Sequence, residues 1–127
     1  MTYLLDTNTF LWAGSARGKL SRRARRICEA QGIERVVSAV SLWELVTKCS
    51  IGKLSIDQVT STLPTLVSSL GARVLPLEAS HAYAAYGLPL LHKDPFDRML
   101  VAQAVADDLT LVTCDETIQR YNVKWVW

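Results

Sequence analysis

Five short apolar runs alternate with segments of helical spacing along the chain, and that alternation restricts the possible folds more than any other feature. The runs are Tyr3–Leu5, Val36–Ser38, Arg73–Leu77, Thr110–Cys114 and Val123–Val126. Between the first two, Leu20, Ala24, Ile27 and Cys28 recur at helical spacing, with arginines filling much of the remaining circumference. Ser41 is expected to open the next helix, which ends near Gly52, and a third runs from about Ile56 to Leu70 with Gly71 as its stop. Pro64 falls inside that third helix, where a kink or split is expected. A short helix over Ala79–Tyr86 ends at Gly87, and a long one starts near Asp94-Pro95, where proline suits the first turn. Strands alternating with helices predict an α/β fold, a parallel sheet covered by helices on both faces. With no repeat, low-complexity tract or linker, the pattern reads as one domain over residues 1–127.

Half of the 127 residues are apolar, enough for one sizeable core. No apolar stretch approaches the roughly 18–20 residues that a bilayer-spanning helix needs. The sequence enters a strand pattern at Thr2-Tyr3-Leu4-Leu5 without a basic region and long apolar segment, so neither signal peptide nor membrane anchor is expected. A cytoplasmic protein is the expectation. Cys28, Cys49 and Cys114 are odd in number and far apart, which suits reduced core or helix residues and not a disulfide framework.

The net charge of +2 hides an asymmetry. Arg17, Lys19, Arg22, Arg23, Arg25 and Arg26 place six of the 14 basic residues within ten positions, and the remainder carries 8 basic against 12 acidic residues. A basic patch beside an acidic site suits a polyanionic substrate, its phosphates bound on one side and cut on the other.

Four acidic residues punctuate the pattern in comparable places. Asp6 ends the first apolar run, and Asp115 follows the fourth. Glu44 and Asp97 lie within a turn of expected helix starts. In open parallel α/β sheets, ligands bind beyond the carboxyl ends of the strands, near the switch in strand order. Each residue also has a local explanation. Asp6 suits a turn or helix cap, and Ser41-x-x-Glu44 is a capping-box pattern in which Glu44 can also pair with Lys48. Asp94 looks like an N-cap ahead of Pro95, Asp97 favours the positive end of the same helix, and Asp115 can cap a short helix from Glu116. Their coincidence on one sheet edge is what points to chemistry. Clustered carboxylates repel unless a cation holds them, and hard oxygen donors suit Mg²⁺ or Mn²⁺. Such an ion polarises a phosphoryl oxygen and activates water, as a metal-dependent hydrolase requires.

Other chemistries find less support. His81 and His92 lack a partner at zinc-site spacing and do not compete as metal ligands; His81 reads as an ordinary helix residue, and His92, near Asp94 and Asp97, is a lesser candidate for touching substrate. There is no phosphate-cradling glycine loop and no Ser-His-Asp signature. Trp12, Trp43, Trp125 and Trp127 read as packing residues.

The segments Leu4-Leu5-Asp6-Thr7-Asn8, Ser38-Ala39-Val40-Ser41-Leu42-Trp43-Glu44, His92-Lys93-Asp94-Pro95-Phe96-Asp97-Arg98-Met99-Leu100-Val101-Ala102-Gln103-Ala104 and Thr113-Cys114-Asp115 resemble those of PIN-domain ribonucleases. In particular, the chain is similar to the VapC toxins of toxin–antitoxin pairs. The resemblance runs from Asp6 to Asp115, in order. It implies a three-layer α/β/α domain with a parallel sheet of about five strands. It also implies Mg²⁺- or Mn²⁺-dependent cleavage of RNA that leaves a 5′-phosphate and a 3′-hydroxyl. Asp6, Glu44, Asp97 and Asp115 fall on the family's catalytic, metal-binding acidic positions, and Asp94 matches an additional acidic residue. Asn8 and Thr113 match supporting polar positions. The implied partner is a small VapB-like antitoxin that occupies the active-site groove, and homodimers are expected. Leu42, Trp43 and Leu45 are candidates for lining a partner groove, though they also suit core packing. Arg22, Arg23, Arg25 and Arg26 lie outside the resemblance and stand as candidates for steering RNA.

Two alternatives belong beside this reading. A catalytically silent nucleic-acid-binding domain would keep the sheet and the basic helix, but it has no use for clustered negative charge facing phosphates. An aspartate-based phosphotransfer or phosphatase domain would use Asp6 as nucleophile. Its usual second Asp, two residues on, is Asn8 here.

Overall fold

The apolar runs form strands β1 (Thr2–Leu5), β2 (Glu34–Ser38), β3 (Arg73–Leu75), β4 (Thr110–Val112) and β5 (Trp125–Val126). They build one parallel sheet in the order β3-β2-β1-β4-β5. The structure, a computed structural model, describes residues 1–127. β3 ends sooner than its apolar run because Pro76 follows and has no N–H for the ladder. β4 also ends early, where Thr113 and Cys114 begin the loop to Asp115.

Seven helices connect and cover the strands: α1 (Thr7–Ser15), α2 (Arg22–Glu29), α3 (Ala39–Ser50), α4 (Val59–Ser69), α5 (Ala79–Tyr86), α6 (Pro95–Ala106) and α7 (Glu116–Gln119). α1 had no clear signal in the sequence, because Thr7, Asn8, Thr9, Gly14 and Ser15 are weak helix formers and Phe10–Ala13 is a contiguous apolar block. Its stability comes from burial of Phe10 and Ala13. α3 begins two residues before the expected Ser41. Its cap is Ser38, whose Oγ accepts from the Val40 amide at 3.0 Å. Ser41 is buried inside the first turn, its hydroxyl donating to Thr7 Oγ1 at 2.8 Å while Thr7 in turn donates to Glu44, so the expected capping box does not form. α4 is a single helix with Pro64 inside it, neither split nor ended there.

Successive strand residues face opposite sides of the sheet. Leu5, Val37 and Val112 join one core with Phe10, Ile27, Leu45, Leu63 and Val67, contributed by α1 to α4. Leu4, Val36 and Leu111 join the other with Leu100, Val101, Ala104 and Ile118, from α6 and α7. α5 packs along α6. The result is three layers, helices on either side of a sheet buried on both faces, as continuous apolar strands require. No helix is long and apolar enough to cross a membrane.

Candidate active site

The chain leaves β1 for β2 and β3 on one side, then returns to β4 on β1's other flank. β1 and β4 therefore lie together at the switch in strand order, where their exit loops diverge and leave a crevice. The Asp6 amide still donates to the Val112 carbonyl at 3.2 Å, so the residues after both strands start side by side.

Helix starts bring the remaining carboxylates to this crevice. Asp6 caps α1, its Oδ1 accepting from the Thr9 amide at 2.8 Å. Asp94 caps α6 through the Phe96 and Asp97 amides, and Asp115 caps α7 through the Thr117 and Ile118 amides at 2.8 and 3.1 Å. Each cap contributes about 1 kcal/mol and sits at the positive end of a helix. Capping and site chemistry are not alternatives here. Asp115 caps with Oδ1, while its Oδ2 lies 3.3 Å from His92 Nε2. Asp97, in the first turn of α6, places Oδ2 3.2 Å from the same nitrogen.

Ligand-capable atoms of His92, Asp97 and Asp115 lie within 4.8 Å of one another. Asp6 and Glu44 lie outside that tight group but act on it electrostatically, Asp6 with Asp115 and Glu44 with Asp97. Glu44, in the second turn of α3, accepts from the Thr7 hydroxyl at 2.9 Å and from Lys48 Nζ at 2.6 Å. A buried polar chain fixes α3 against α6. Ser38 Oγ, the cap of α3, donates to Gln103 Oε1 at 2.5 Å, and Gln103 Nε2 reaches the Pro76 carbonyl and His81 Nδ1. His81 Nε2 in turn meets Asp107 at the end of α6, 2.9 Å away.

The site holds more negative charge than its cations balance. Burial pushes the Asp97 carboxyl up to about 7, with repulsion from Asp94 and Glu44 adding to it. Burial likewise raises Asp6. Hydrogen bonding by Thr113 and Thr9 opposes that rise, and Asp115 reinforces it. Lys48 is held above its ordinary value by its hydrogen bond to Glu44, so it stays cationic. A carboxylate-rich set with surplus negative charge fits a hard divalent cation.

The other expected residues are placed less uniformly. Thr113 is fully buried and accepts from the Asp115 amide at 3.0 Å, in keeping with a supporting position. Asn8 is exposed on the first turn of α1 and makes no side-chain hydrogen bond. Arg22, Arg23, Arg25 and Arg26 are exposed on α2, which leads into the start of β2, the sheet edge opposite the carboxylates. No hydrogen bond or ion pair joins these arginines to the site, and Arg25 pairs with Glu29.

Three expectations need correction. Trp43 is 62% exposed and meets Phe96 edge-to-face at 5.0 Å, between the helices that carry Glu44 and Asp97. Trp125 is also exposed, whereas Trp12 and Trp127 pack against each other as expected. Leu45 is buried in the core, so of the proposed groove residues Trp43 is the one on the surface. Cys114 is exposed beside Asp115, not packed, although Cys28 is buried as expected. His92, whose nearness to Asp94 and Asp97 in sequence made it a lesser candidate for touching substrate, joins the carboxylate cluster. Its signal was present in the sequence, two residues before one acidic residue and five before another. Gln103 too was visible, as a lone polar residue in the apolar stretch Val101–Ala104.

The family model for the PIN domain matches residues 3–124. Among solved structures, VapBC2 from Rickettsia felis bound to a DNA fragment from their promoter is similar, with TM-score 0.77 and 22% identity over 99% of this chain and 98% of that one. VapBC-1 from nontypeable Haemophilus influenzae is similar with TM-score 0.68 and 19% identity, covering 99% and 97%. A toxin–antitoxin complex from Klebsiella pneumoniae gives 0.67 and 20%, covering 98% and 96%. At such identities the likeness to these structures is one of fold. No curated protein matches the chain.

Proposed function

The chain belongs to the PIN-domain family, and from that premise we propose that it is a metal-dependent endoribonuclease, the toxin of a type II toxin–antitoxin pair. The observation that carries the reading is the close grouping of Asp97 and Asp115 near the switch point, with Asp97 pushed up to about 7 by burial and by its acidic neighbours Asp94 and Glu44, and it supports a site that also uses Asp6 and Glu44. Residues 1–127 form one nuclease domain that works in the cytoplasm. The likeness to the Rickettsia, Haemophilus and Klebsiella complexes supports the toxin assignment and a VapB-like antitoxin as partner. A homodimer is the expected assembly.

Asp6, Asp97 and Asp115 would hold Mg²⁺ or Mn²⁺, with Glu44 completing or bridging the site and Asp94 in second rank. When bound, the ion supplies charge that offsets the negative charge developing on a phosphoryl group and lowers the pKa of water. The chain's own residues do the rest. Thr7 and Lys48 fix both oxygens of Glu44, so that carboxylate enters the site in one orientation. Thr113 supports Asp6 and Asp115 from below, and the α1, α6 and α7 caps lock their carboxylates to the backbone. Asn8 is assigned a supporting position at the open rim. Exposed Trp43 offers apolar surface at the same rim to the antitoxin. Arg22, Arg23, Arg25 and Arg26 steer RNA from a distance.

The deciding experiment is cleavage of a mixed cellular RNA pool by the purified protein in Mg²⁺, Mn²⁺ or EDTA, with Asp6→Asn as control. Defined fragments in either metal, abolished by EDTA and reduced on the order of 100-fold or more by the substitution, are expected. A folded, partner-free protein that is inactive in both metals sinks the proposal in favour of a binding-only domain.

A further inference from the structure

His92 enters the cluster from the loop before α6, and its backbone is anchored there: the His92 amide donates to the Tyr121 hydroxyl at 2.9 Å. Its ring is anchored as well. Nδ1 accepts the Asp94 backbone N–H at 3.2 Å. A backbone amide is only ever a donor, so Nδ1 must present its lone pair, and in the neutral ring the proton then belongs to Nε2. Nε2 stands between two acceptors, Asp97 Oδ2 at 3.2 Å and Asp115 Oδ2 at 3.3 Å. Both ring nitrogens are matched in this tautomer. In the other, Nδ1–H would face the Asp94 N–H, and a bare Nε2 would face two carboxylates. A nitrogen that coordinates a metal through Nε2 must adopt that mismatched form.

We infer that His92 is a positioning residue of the site and not a metal ligand, its Nε2–H bridging the Oδ2 atoms of Asp97 and Asp115 and leaving metal coordination to oxygen. The inference deepens the nuclease reading and rests on it for the identity of the cation. The bridge gives two like charges from separate elements, α6 and the loop after β4, a shared donor. That holds them in register and reduces the freedom a cation would otherwise have to remove on binding. It also predicts selectivity. A site without a nitrogen ligand keeps the oxygen preference of Mg²⁺ and gains no added preference for softer transition ions.

The test is the imidazole ¹⁵N spectrum of the full chain, which has two histidines, with His92→Gln assigning the signals. Protonated Nε2 and unprotonated Nδ1 on His92, unchanged when Mg²⁺ is added, are expected. A proton on Nδ1, or loss of the Nε2–H on Mg²⁺ addition, overturns the inference and makes His92 a ligand. Magnesium affinity by calorimetry supplies the second arm. Glutamine can place an amide donor near the position of Nε2, so His92→Gln should bind Mg²⁺ within about threefold of the native chain, whereas His92→Ala should lose about tenfold. Equal losses in the two variants overturn the bridging role. If Mg²⁺ does not bind the native chain at all, the nuclease proposal suffers, while the metal-free spectrum still supports or overturns the tautomer.

Discussion

The two edges of the sheet bury charge in opposite ways. At the start of β2, the Arg35 guanidinium is buried without a carboxylate partner, donating to the carbonyls of Ile27, Ala30 and Leu70 at the ends of α2 and α4. These are the negative ends of two helices, and each would leave carbonyls unsatisfied without it. At the other edge, Asp6, Asp94 and Asp115 sit on the positive ends of α1, α6 and α7. The same backbone electrostatics serve both edges, because helices that run back against parallel strands present opposite poles to the two sides. The outcomes differ. One cation shared among three carbonyls is balanced, whereas five carboxylates against Lys48 are not. The Arg35 edge contributes stability, and the carboxylate edge gives some up for a cation-ready site.

The largest test of this contrast is Arg35→Met. It leaves three carbonyls without their donor and should cost about 4 kcal/mol in urea unfolding; a loss below about 1 kcal/mol would show that water replaces the guanidinium freely.

Next comes the acidic edge in chelator. Folded Asp97 keeps its proton to about 7, against an ordinary value of 3.8. Between those limits the folded chain holds more protons than the unfolded one, so metal-free stability falls as pH rises through that window and levels off above it. Asp6, also raised, acts in the same direction. Asp97→Asn should flatten this slope and stabilise the metal-free protein at pH 8 by on the order of 3 kcal/mol. A destabilised variant, or an unchanged slope, breaks the contrast between the edges.

The smallest effect concerns the exposed arginines of α2. Replacing Arg22, Arg23, Arg25 and Arg26 by Gln should shift stability by no more than about 0.5 kcal/mol. The log–log salt dependence of RNA binding should flatten by about 0.7 for each arginine that meets a phosphate. An unchanged slope makes the basic face of α2 a solvated surface and nothing more.

Much of this architecture was legible in the sequence, for a physical reason. A strand buried on both faces must be apolar throughout, so β1, β2 and β4 were visible as runs, and Asp6 and Asp115 were visible as the residues that end them. What escaped depended on contacts between distant segments. α1 forms because Phe10 and Ala13 find a core, not because its residues favour a helix. Ser41 has the right spacing for a cap, but the hydroxyl that fits the geometry is Ser38's, tied at the same time to Gln103, 65 residues away. His92 was set aside because no second histidine or cysteine stood at ligand spacing. Its partners are carboxylates, one of them 23 residues further on. Trp43 and Leu45, two positions apart on α3, were grouped together, yet one is exposed and the other buried, a distinction that only the packing of α3 settles.

The double use of the capping aspartates bears on how such a chain changes over generations. At Asp6, Asp94 and Asp115 the oxygen that ends the helix belongs to the same side chain that supplies the site's charge. Asparagine ends a helix nearly as well as aspartate, and a single base change in the codon converts one to the other. On the proposed nuclease reading, the step from an active copy to an inert one therefore passes through no unfolded intermediate. Silenced copies would persist as well-built proteins, and the reverse change would restore the lost charge in a scaffold that never stopped folding.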